Sequence, residues 1–373
     1  MSVAVLKFGG STFPDPDAFG AVADYLAKRV GEGERLVVTV SAGPGETERL
    51  RGRLHEVNPY PGESVVAGLL TLADTIGAHL LAAAVTRTGR SAIVLAGHQM
   101  GFTTSGSPMW ARMERMDRGP LDAALADHDV VLLPGGQAVD GNGCPTWLGK
   151  NSSDLTAIAA AAALGVRSCE IFSDVEGVYT ADPRLLPNAR LVPEMSYDSV
   201  ATLSGLGARV LHRRAVQMAQ RHGVRIVCRL NRAPYHSGSI IGPAGVPTGA
   251  VVVNPNAVVV RFADDRTAGI GHAALQQGGI ETLRMPDGPV VVVVNGYVDV
   301  PGFLHAHNLA GEVTGQVPVT EVLGTTTRVH LTADADAAVR LARELHDRVV
   351  GDSDAAEPVA AAPLTDAREV PAQ

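Results

Sequence analysis

The chain has 373 residues, of which 46% are hydrophobic, and a formal net charge of -8 at pH 7. This length and apolar content are enough for two packed cores, so we expect one large domain and a smaller one. The acidic balance argues against nucleic acid as a partner, because counterion release requires clustered Lys and Arg. Any phosphate site must therefore be a local cluster of donors.

Cysteine usage and apolar segments indicate where such a protein works. Cys144, Cys169 and Cys228 are far apart, which supports neither a zinc site nor a disulfide framework and fits a reducing compartment. The first residues do not show the pattern of an export signal. The longest apolar stretch, residues 65–85, contains Asp74 and His79 and predicts a buried helix rather than a membrane span. We expect a cytoplasmic protein without a membrane partner.

The first 230 residues alternate short β-branched runs with helical patterns, which is typical of parallel strands joined by crossover helices. Strands are predicted at residues 3–8, 36–40, 92–96, 130–133, 166–172 and 224–229. Helices are predicted at residues 16–30, 64–87, 121–126, 155–164, 197–203 and 208–222. Together they predict a three-layer α/β domain with a mainly parallel central sheet over residues 1–242.

A link rich in Gly and Pro, residues 242–249, precedes a second pattern. Strands are predicted at residues 258–262, 282–285, 290–294, 317–323 and 328–331, and helices at 267–277, 301–309 and 335–349. This order predicts a smaller α+β region of βαββαβ type over residues 250–350. The tail, residues 351–373, lacks periodicity, and we expect it to be disordered.

A glycine turn, Lys7-Phe8-Gly9-Gly10-Ser11-Thr12, ends the first predicted strand. Glycines let backbone N–H groups approach an anion, and lysine and hydroxyl groups add charge and donors. The turn is neither a Walker loop nor a dinucleotide fingerprint, since neither glycine spacing is present. The residues alone leave two interpretations open, a phosphate site or a turn that only leaves the sheet edge.

A second motif, Leu148-Gly149-Lys150-Asn151-Ser152-Ser153-Asp154, precedes the alanine-rich helix. Ser and Asp in this position fit a helix N-cap. Lysine otherwise occurs only at Lys7 and Lys28, which favours an anionic ligand over solubility as the reason for Lys150.

A third motif runs from a predicted strand into a long loop, with the sequence Phe172-Ser173-Asp174-Val175-Glu176-Gly177-Val178-Tyr179-Thr180-Ala181-Asp182-Pro183-Arg184. Loops that follow parallel strands lie at the ligand-binding edge of an α/β sheet. Its polar side chains and Tyr179 are candidates for holding a nucleotide base and ribose.

These motifs occur in order with two more, an S-A-x-x-x-x-T stretch at residues 41–47 and Gly207-Ala208-Arg209-Val210-Leu211-His212. In this combination the chain resembles the aspartate kinases of the amino acid kinase family, most strongly over residues 173–229. The resemblance continues weakly to about residue 350, where it implies a degenerate pair of ACT-like modules.

The resemblance implies phosphoryl transfer from ATP, with Mg²⁺ bridging the nucleotide phosphates rather than sitting in a protein metal site. Lys7 would stabilise the transferring group, Asp154 would orient such donors, and Arg209 is the third implied catalytic residue. The implied nucleotide and phosphate ligands are Gly9, Gly10, Ser11, Ser173, Asp174, Tyr179, Asp182 and Arg184. The implied residues for the acceptor amino acid are Thr47, Asp74, Lys150 and Ser153.

The chain departs from the family pattern at the acceptor positions. Lys150 replaces the arginine that grips the substrate carboxylate, which keeps the charge but loses the bidentate fork. Asp74 replaces the helix glutamate that receives the substrate amino group, and Arg209 replaces a common lysine. From the residues alone, Asp74 could also be a helix-face acid paired with a neighbour, and Arg209 a solvated surface charge.

Three functions follow from the residues and the resemblance. The first is phosphorylation of the side-chain carboxylate of L-aspartate to give 4-phospho-L-aspartate. The second is the same chemistry on another amino acid in a specialised biosynthetic pathway. The third is a catalytically silent nucleotide-binding regulator, which the retention of Lys7 and Asp154 disfavours.

Two further expectations concern His212 and the C-terminal third. A carboxylate acceptor is ionised at neutral pH and needs no general base, so we expect His212 to be structural. We expect the ACT-like region to serve packing and pairing into a homodimer or higher homo-oligomer rather than amino acid feedback. The usual ligand-binding turn is not recognisable around residues 265–270.

Overall fold

The computed structural model of the chain describes residues 2–245, 249–294, 299–324 and 326–350. The tail predicted to be disordered, residues 351–373, lies outside the described residues, as does part of the predicted link, residues 246–248.

The strands of the larger, N-terminal part are β1 Ser2–Phe8, β2 Glu34–Val40, β3 Ala92–Val94, β4 Phe102–Ser105, β5 Arg112–Met116, β6 Val130–Pro134, β7 Gln137–Val139, β8 Pro145–Trp147, β9 Ser168–Ser173, β10 Val178–Tyr179, β11 Leu191–Val192, β12 Glu194–Ser196, β13 Arg225–Leu230 and β14 Ser237–Gly242. Its helices are α1 Pro16–Gly31, α2 Glu46–Val57, α3 Glu63–Arg87, α4 Gly119–Asp127, α5 Ser153–Leu164, α6 Tyr197–Gly205 and α7 Arg213–His222. Short 3₁₀ turns lie at Gly10–Thr12 and Gly97–Gln99.

Eight of these strands form the central sheet in the order β12-β14-β13-β9-β1-β2-β6-β3. All neighbouring pairs are parallel except the antiparallel pair of β13 and β14. The predicted mainly parallel sheet is confirmed. A smaller sheet, in the order β5-β4-β7-β8, lies outside it.

Helices cover both faces of the central sheet, which gives the predicted three layers. Alternate residues of each strand enter different cores, because successive side chains of a strand point to opposite faces. Val5 and Val37 belong to the core that contains α5 and α7, whereas Leu6 and Val38 belong to the core that contains α1 and α3. Both faces of the sheet are therefore buried, as in other parallel sheets.

One helix boundary predicted from the sequence is wrong. A helix was expected from residue 208, but α7 begins at Arg213. Gly207 has a left-handed backbone with φ of +98°, and the His212 N–H donates to the Asp154 carboxylate at 3.0 Å instead of to a helix carbonyl. The segment between α6 and α7 is therefore a loop. The sequence analysis also missed α2, β14 and the smaller sheet.

Helix α3 is buried on one side only. Among the described helices it is long and apolar enough to cross a membrane by length and composition, but Leu70, Ala78 and Leu81 are fully buried within the protein. On its other side Leu72 and Ile76 are exposed. The helix expected from the sequence is confirmed, while its full burial is not.

The C-terminal region contains β15 Ala250–Val253, β16 Val258–Phe262, α8 Asp265–Gln277, β17 Thr282–Arg284, β18 Val290–Val293, α9 Val300–Ala306, β19 Gly311–Val313, β20 Val317–Leu323, β21 Thr326–Thr332 and α10 Ala335–Val350. One sheet has the order β17-β18-β16-β19, and the other has the order β15-β20-β21. A βαββαβ unit, from β16 to β19, is thus inserted between two paired strands of the second sheet. This confirms the smaller α+β region predicted from the sequence.

Helix α10 packs directly on the loop that joins β10 to β11. Leu345 is fully buried in a cluster that includes Ala181 and Leu186 of this loop. A ring nitrogen of His346 lies 2.8 Å from the Thr180 hydroxyl, in a buried hydrogen bond. The C-terminal region therefore supports the loop that the sequence analysis assigned to nucleotide binding.

We expect Leu345→Ala to loosen this loop. The change removes a fully buried side chain, and buried Leu→Ala changes cost about 2 to 5 kcal/mol. Hydrogen exchange of the amides at residues 180–186 should become faster in Leu345→Ala, while Glu344→Ala, an exposed position on the same helix, should leave it unchanged. Unchanged exchange in both variants would show that the loop is stable without α10.

Candidate active site

The predicted site residues come together at the carboxyl ends of β1, β2 and β9. They line two adjoining cavities of about 650 Å³ and about 210 Å³, which share Ser173, Arg184 and Arg209. The larger cavity contains Lys7, Gly9, Gly10, Ser11, Thr47, Asp74, Lys150, Ser153, Asp154 and Asp174. The smaller cavity contains Tyr179 and Asp182. The sheet edge thus gathers residues that are more than 200 positions apart in the chain.

Lys7 and Asp154 form a buried ion pair in the wall of the larger cavity. Lys7 shares a face of β1 with Val5, so its side chain points toward α5, where Asp154 lies in the first turn. The ammonium and the carboxylate are 2.7 Å apart, and the two side chains are only 11% and 7% exposed. Asp154 therefore fixes the position of the Lys7 charge.

His212 helps to hold this pair from the opposite side. Its backbone N–H donates to the second Asp154 oxygen at 3.0 Å. Burial lowers the pKa of its imidazole to about 4, although the nearby Asp154 charge opposes this. The ring is therefore neutral at physiological pH, in agreement with a structural role.

The glycine turn is shaped by close backbone contacts. The Gly9 N–H donates to the Phe172 carbonyl at 3.1 Å. A Cβ on Gly10 would lie 2.4 Å from the Ala42 carbonyl oxygen, so a side chain cannot be accommodated there without moving the backbone. Gly10 and Ser11 begin a 3₁₀ turn, and the first N–H groups of a helical turn point away from it. These two amides are better placed for phosphate than the predicted amide of Gly9.

On the nucleotide side, Arg184 binds two carboxylates. Its guanidinium donates to both oxygens of Asp182 at 2.9 Å and lies 3.5 Å from Asp174. Burial alone would raise the pKa of Asp182, but the hydrogen bonds and charge of Arg184 outweigh it and lower this pKa. Ser173 donates to Asp174 at 3.0 Å. These residues form a connected polar wall.

The smaller cavity is largely apolar and has walls from both parts of the chain. Tyr179 donates to Glu176 at 3.1 Å, and burial together with the Glu176 charge raises the pKa of Tyr179 to about 12. The opposite wall includes residues 250–253 of β15 and Pro255. A flat apolar ring system fits such a cavity, with polar groups at one end.

Asp74, in α3, is buried beneath the acceptor side of the larger cavity. Its Oδ1 accepts the Ala42 N–H at 2.9 Å. Burial raises the pKa of this carboxyl to about 7, although the Ala42 hydrogen bond and the Lys7 charge oppose the rise. Near neutral pH the group is thus divided between its protonated and ionised forms. Nearby, the Ser153 and Ser41 hydroxyls form a hydrogen bond of 2.7 Å.

Lys150 lies in the loop between β8 and α5 and forms an ion pair with Glu48 in the first turn of α2. Both residues line the larger cavity, as does the indole of Trp110.

Arg209 is exposed at the junction of the two cavities. Its position fits a phosphate ligand better than an isolated surface charge.

Several residues of the site were not found from the sequence. Asn231 donates to the Ser11 hydroxyl at 3.2 Å and ties the glycine turn to the end of β13. Arg214 donates to the Ala111 carbonyl at 2.6 Å and supports the smaller sheet. The position of Asn231 after a parallel strand is a signal that could have identified it. Glu48 and Arg214 carry no comparable signal, because their partners are distant in sequence.

Comparison with known proteins agrees with this geometry. The profile of the Amino acid kinase family matches residues 2–229, which is well over half of the chain. The chain belongs to the amino acid kinase family. The matched residues contain the central sheet up to β13, and the Lys7 turn and the loop after β9 line the larger cavity at one edge of that sheet.

Within the family, the chain is similar to aspartokinases. It is 36% identical over 241 residues to the aspartokinase of Thermus thermophilus, covering 65% of this chain and 59% of the relative. It is 35% identical over 224 residues to that of Pseudomonas aeruginosa, covering 60% of this chain and 54% of the relative. The matched region thus spans less than two thirds of these relatives.

Solved structures of aspartate kinases have a similar fold. The Synechocystis enzyme shows a TM-score of 0.58 and 25% identity over 87% of this chain and 60% of the other. E. coli aspartokinase III in complex with aspartate and ADP shows a TM-score of 0.71 and 17% identity, covering 94% of this chain and 100% of the other. The second similarity extends through the C-terminal region and concerns the fold alone.

The raised pKa of Asp74 predicts a pH-dependent stability. Between its ordinary value of 3.8 and about 7, the folded state holds a proton that the unfolded state has lost, so stability decreases as the pH rises through this range. Asp74→Asn cannot ionise and keeps an acceptor for the Ala42 N–H. The free energy of unfolding of Asp74→Asn minus that of wild type should therefore increase with pH, by up to about 1.4 kcal/mol per pH unit. This difference should level off above pH ~7.

Urea unfolding at several pH values between about 5 and 8 measures this difference. Asp127→Asn, at an exposed position at the end of α4, is the matched control and should differ from wild type by a constant amount. The same constant difference in Asp74→Asn would mean that Asp74 is ionised throughout this range.

Proposed function

We propose that this protein is an ATP-dependent kinase that phosphorylates the side-chain carboxylate of L-aspartate to give 4-phospho-L-aspartate. The observation that carries the proposal is the buried Lys7–Asp154 pair in a cavity that joins the predicted nucleotide and acceptor sides. The similarity to aspartokinases supports aspartate as the acceptor.

The reaction requires no covalent intermediate with the protein. The acceptor carboxylate is already ionised at neutral pH, so catalysis consists of alignment with the γ-phosphorus and stabilisation of the charge on the transferred group. Lys7 supplies a cation whose position Asp154 fixes. The amides of Gly10 and Ser11 and the guanidinium of Arg209 complete the donors around the phosphate oxygens.

We propose one orientation for the nucleotide across the two cavities. The base and ribose occupy the smaller cavity beside Tyr179, and the phosphates point past Arg184 toward Lys7. Within the described residues, no group of three or more His, Cys, Asp or Glu side chains could hold a metal ion. We assign Mg²⁺ to the nucleotide phosphates, and Asp174, which lines the larger cavity, is a candidate carboxylate to support it.

The acceptor side also supports a second candidate, the same transfer to a different amino acid. Asp74 and Lys150 differ from the residues that the aspartate kinase resemblance implies at these positions, and Lys150 is paired with Glu48. Either product is a reactive acyl phosphate, which a reductase or ligase must consume. We place the reaction in the cytoplasm, where ATP is available.

A screen for acyl phosphate formation tests the proposal. The protein is incubated with ATP, Mg²⁺ and each amino acid, and the product is trapped with hydroxylamine as the hydroxamate. We expect L-aspartate to give the highest kcat/KM. Another amino acid as the best acceptor would establish the second candidate, and ATP binding without turnover on any amino acid would overturn both.

Lys7→Ala should reduce the rate of phosphoryl transfer by about 10²- to 10³-fold, since removal of a group that stabilises transition-state charge costs about this much. Hydroxamate formation measures the loss. Lys28→Ala is the matched control, because Lys28 is 74% exposed and pairs only at the surface with Glu32. Transfer at the wild-type rate in Lys7→Ala would remove Lys7 from the mechanism.

We also propose that two copies of the chain pair through α3. Val65, Leu72, Ile76 and Leu80 are between 41% and 59% exposed, and their spacing places them on one face of the helix. An antiparallel α3 pair related by a two-fold axis would bury this apolar face in both copies.

Ile76→Glu should therefore dissociate the homodimer, because it places a charge at the centre of this face. Sedimentation velocity measures the change in mass. Val57→Glu, at an exposed apolar position on α2, is the control and should remain dimeric. A dimer that survives Ile76→Glu would assign the pairing to another surface, such as the C-terminal region.

A further inference from the structure

The acceptor side of the larger cavity carries two opposite charges that meet across it. Glu48 is in the first turn of α2, Lys150 is in the loop before α5, and their side chains form an ion pair. Thr47, which the sequence analysis assigned to the acceptor, precedes Glu48 and lines the same cavity. Leu50 in the next turn packs with Leu70 of α3, which fixes α2 beside the cavity.

The pair presents both of its charges to the cavity. The Glu48 side chain is 57% exposed and that of Lys150 is 22% exposed. Partial burial would raise the pKa of Glu48, but the hydrogen bond and charge of Lys150 outweigh it and lower this pKa. Glu48 is therefore an ionised, accessible carboxylate at neutral pH.

Asp74 is less suited to receive an ammonium group. It is 9% exposed, and one of its oxygens already accepts the Ala42 N–H. Binding a cation requires the ionised form, which burial disfavours at this position. A carboxylate at the cavity surface avoids both costs.

We infer that Glu48 binds the α-ammonium group of the acceptor amino acid while Lys150 binds its α-carboxylate. The head group of an amino acid carries one positive and one negative charge on neighbouring atoms, and the Glu48–Lys150 pair offers the complementary two charges. Lys150 presents a point charge rather than a planar fork, so the neighbouring carboxylate supplies the orientation that lysine alone does not. This inference rests on the proposed function and makes Glu48 a determinant of acceptor specificity.

Comparison of L-aspartate with succinate tests the inference, since succinate has the same two carboxylates without the amino group. Wild-type protein should bind L-aspartate up to about fivefold more tightly than succinate, which is the upper range for an exposed charge pair. Glu48→Gln should weaken L-aspartate binding by about the same factor and leave succinate binding unchanged or tighter, so that the preference disappears. Quenching of Trp110 and Trp147 fluorescence, whose indoles line this cavity, measures binding without turnover.

Two variants serve as controls. Glu46→Gln changes the same residue type in the same helical turn, but Glu46 pairs with Arg49 at 2.8 Å and does not line the cavity. It should keep the wild-type preference and the wild-type kcat/KM. Asp74→Asn should also keep the preference for L-aspartate, whatever its effect on stability.

Loss of the preference in Asp74→Asn but not in Glu48→Gln would overturn the inference and assign the ammonium to Asp74. An equal change in affinity for L-aspartate and succinate in Glu48→Gln would also overturn the inference. Glu48 would then act only by competing with the ligand carboxylate for Lys150. Failure of the proposed function has a different signature, the absence of hydroxamate from wild-type protein with every amino acid. If another amino acid is the acceptor, that amino acid and its desamino analogue replace the two probes, and the same outcomes decide.

Discussion

The candidate site depends on one buried ion pair, between Lys7 and Asp154. Two buried charges are tolerated because each compensates the other, whereas a single one would carry a large desolvation penalty. The pair requires that Lys7 point to the α5 face of the sheet and that α5 begin at the level where β1 ends. The register of the central sheet places Lys7 beside Thr39, and the loop after α6 supplies the His212 N–H that completes the Asp154 contacts.

The sequence was sufficient to predict most of the fold, and the residues predicted around Lys7 and Asp154 line one cavity. Periodicity identified the strands of the parallel sheet, and the motifs around Lys7, Asp154 and Tyr179 are local in sequence. The start of α7 was not predictable, because the side chain that replaces its first helix hydrogen bond, Asp154, lies 58 residues away from His212. Glu48 was missed for the same reason, since its partner lies 102 residues away.

The two ends of the larger cavity differ in how firmly their charges are placed. At the phosphate end, Lys7 and Asp154 are almost fully buried, so their geometry changes little with solvent or salt. At the acceptor end, the Glu48–Lys150 pair is partly exposed and can rearrange around a ligand. The two ends of the cavity therefore differ in how readily their charges can move.

The wall that β15 contributes to the smaller cavity has a consequence for protein engineering. In sequence, β15 belongs to the C-terminal region. Its residues 250–253 nevertheless line the cavity predicted to hold the nucleotide, and the Val251 N–H donates to the Thr180 carbonyl at 2.7 Å. A chimera joined near residue 242 would therefore exchange this wall of the smaller cavity together with the C-terminal region. The βαββαβ insertion from β16 to β19 reaches the larger cavity through residues 279–281, so its exchange between homologues would alter that wall as well.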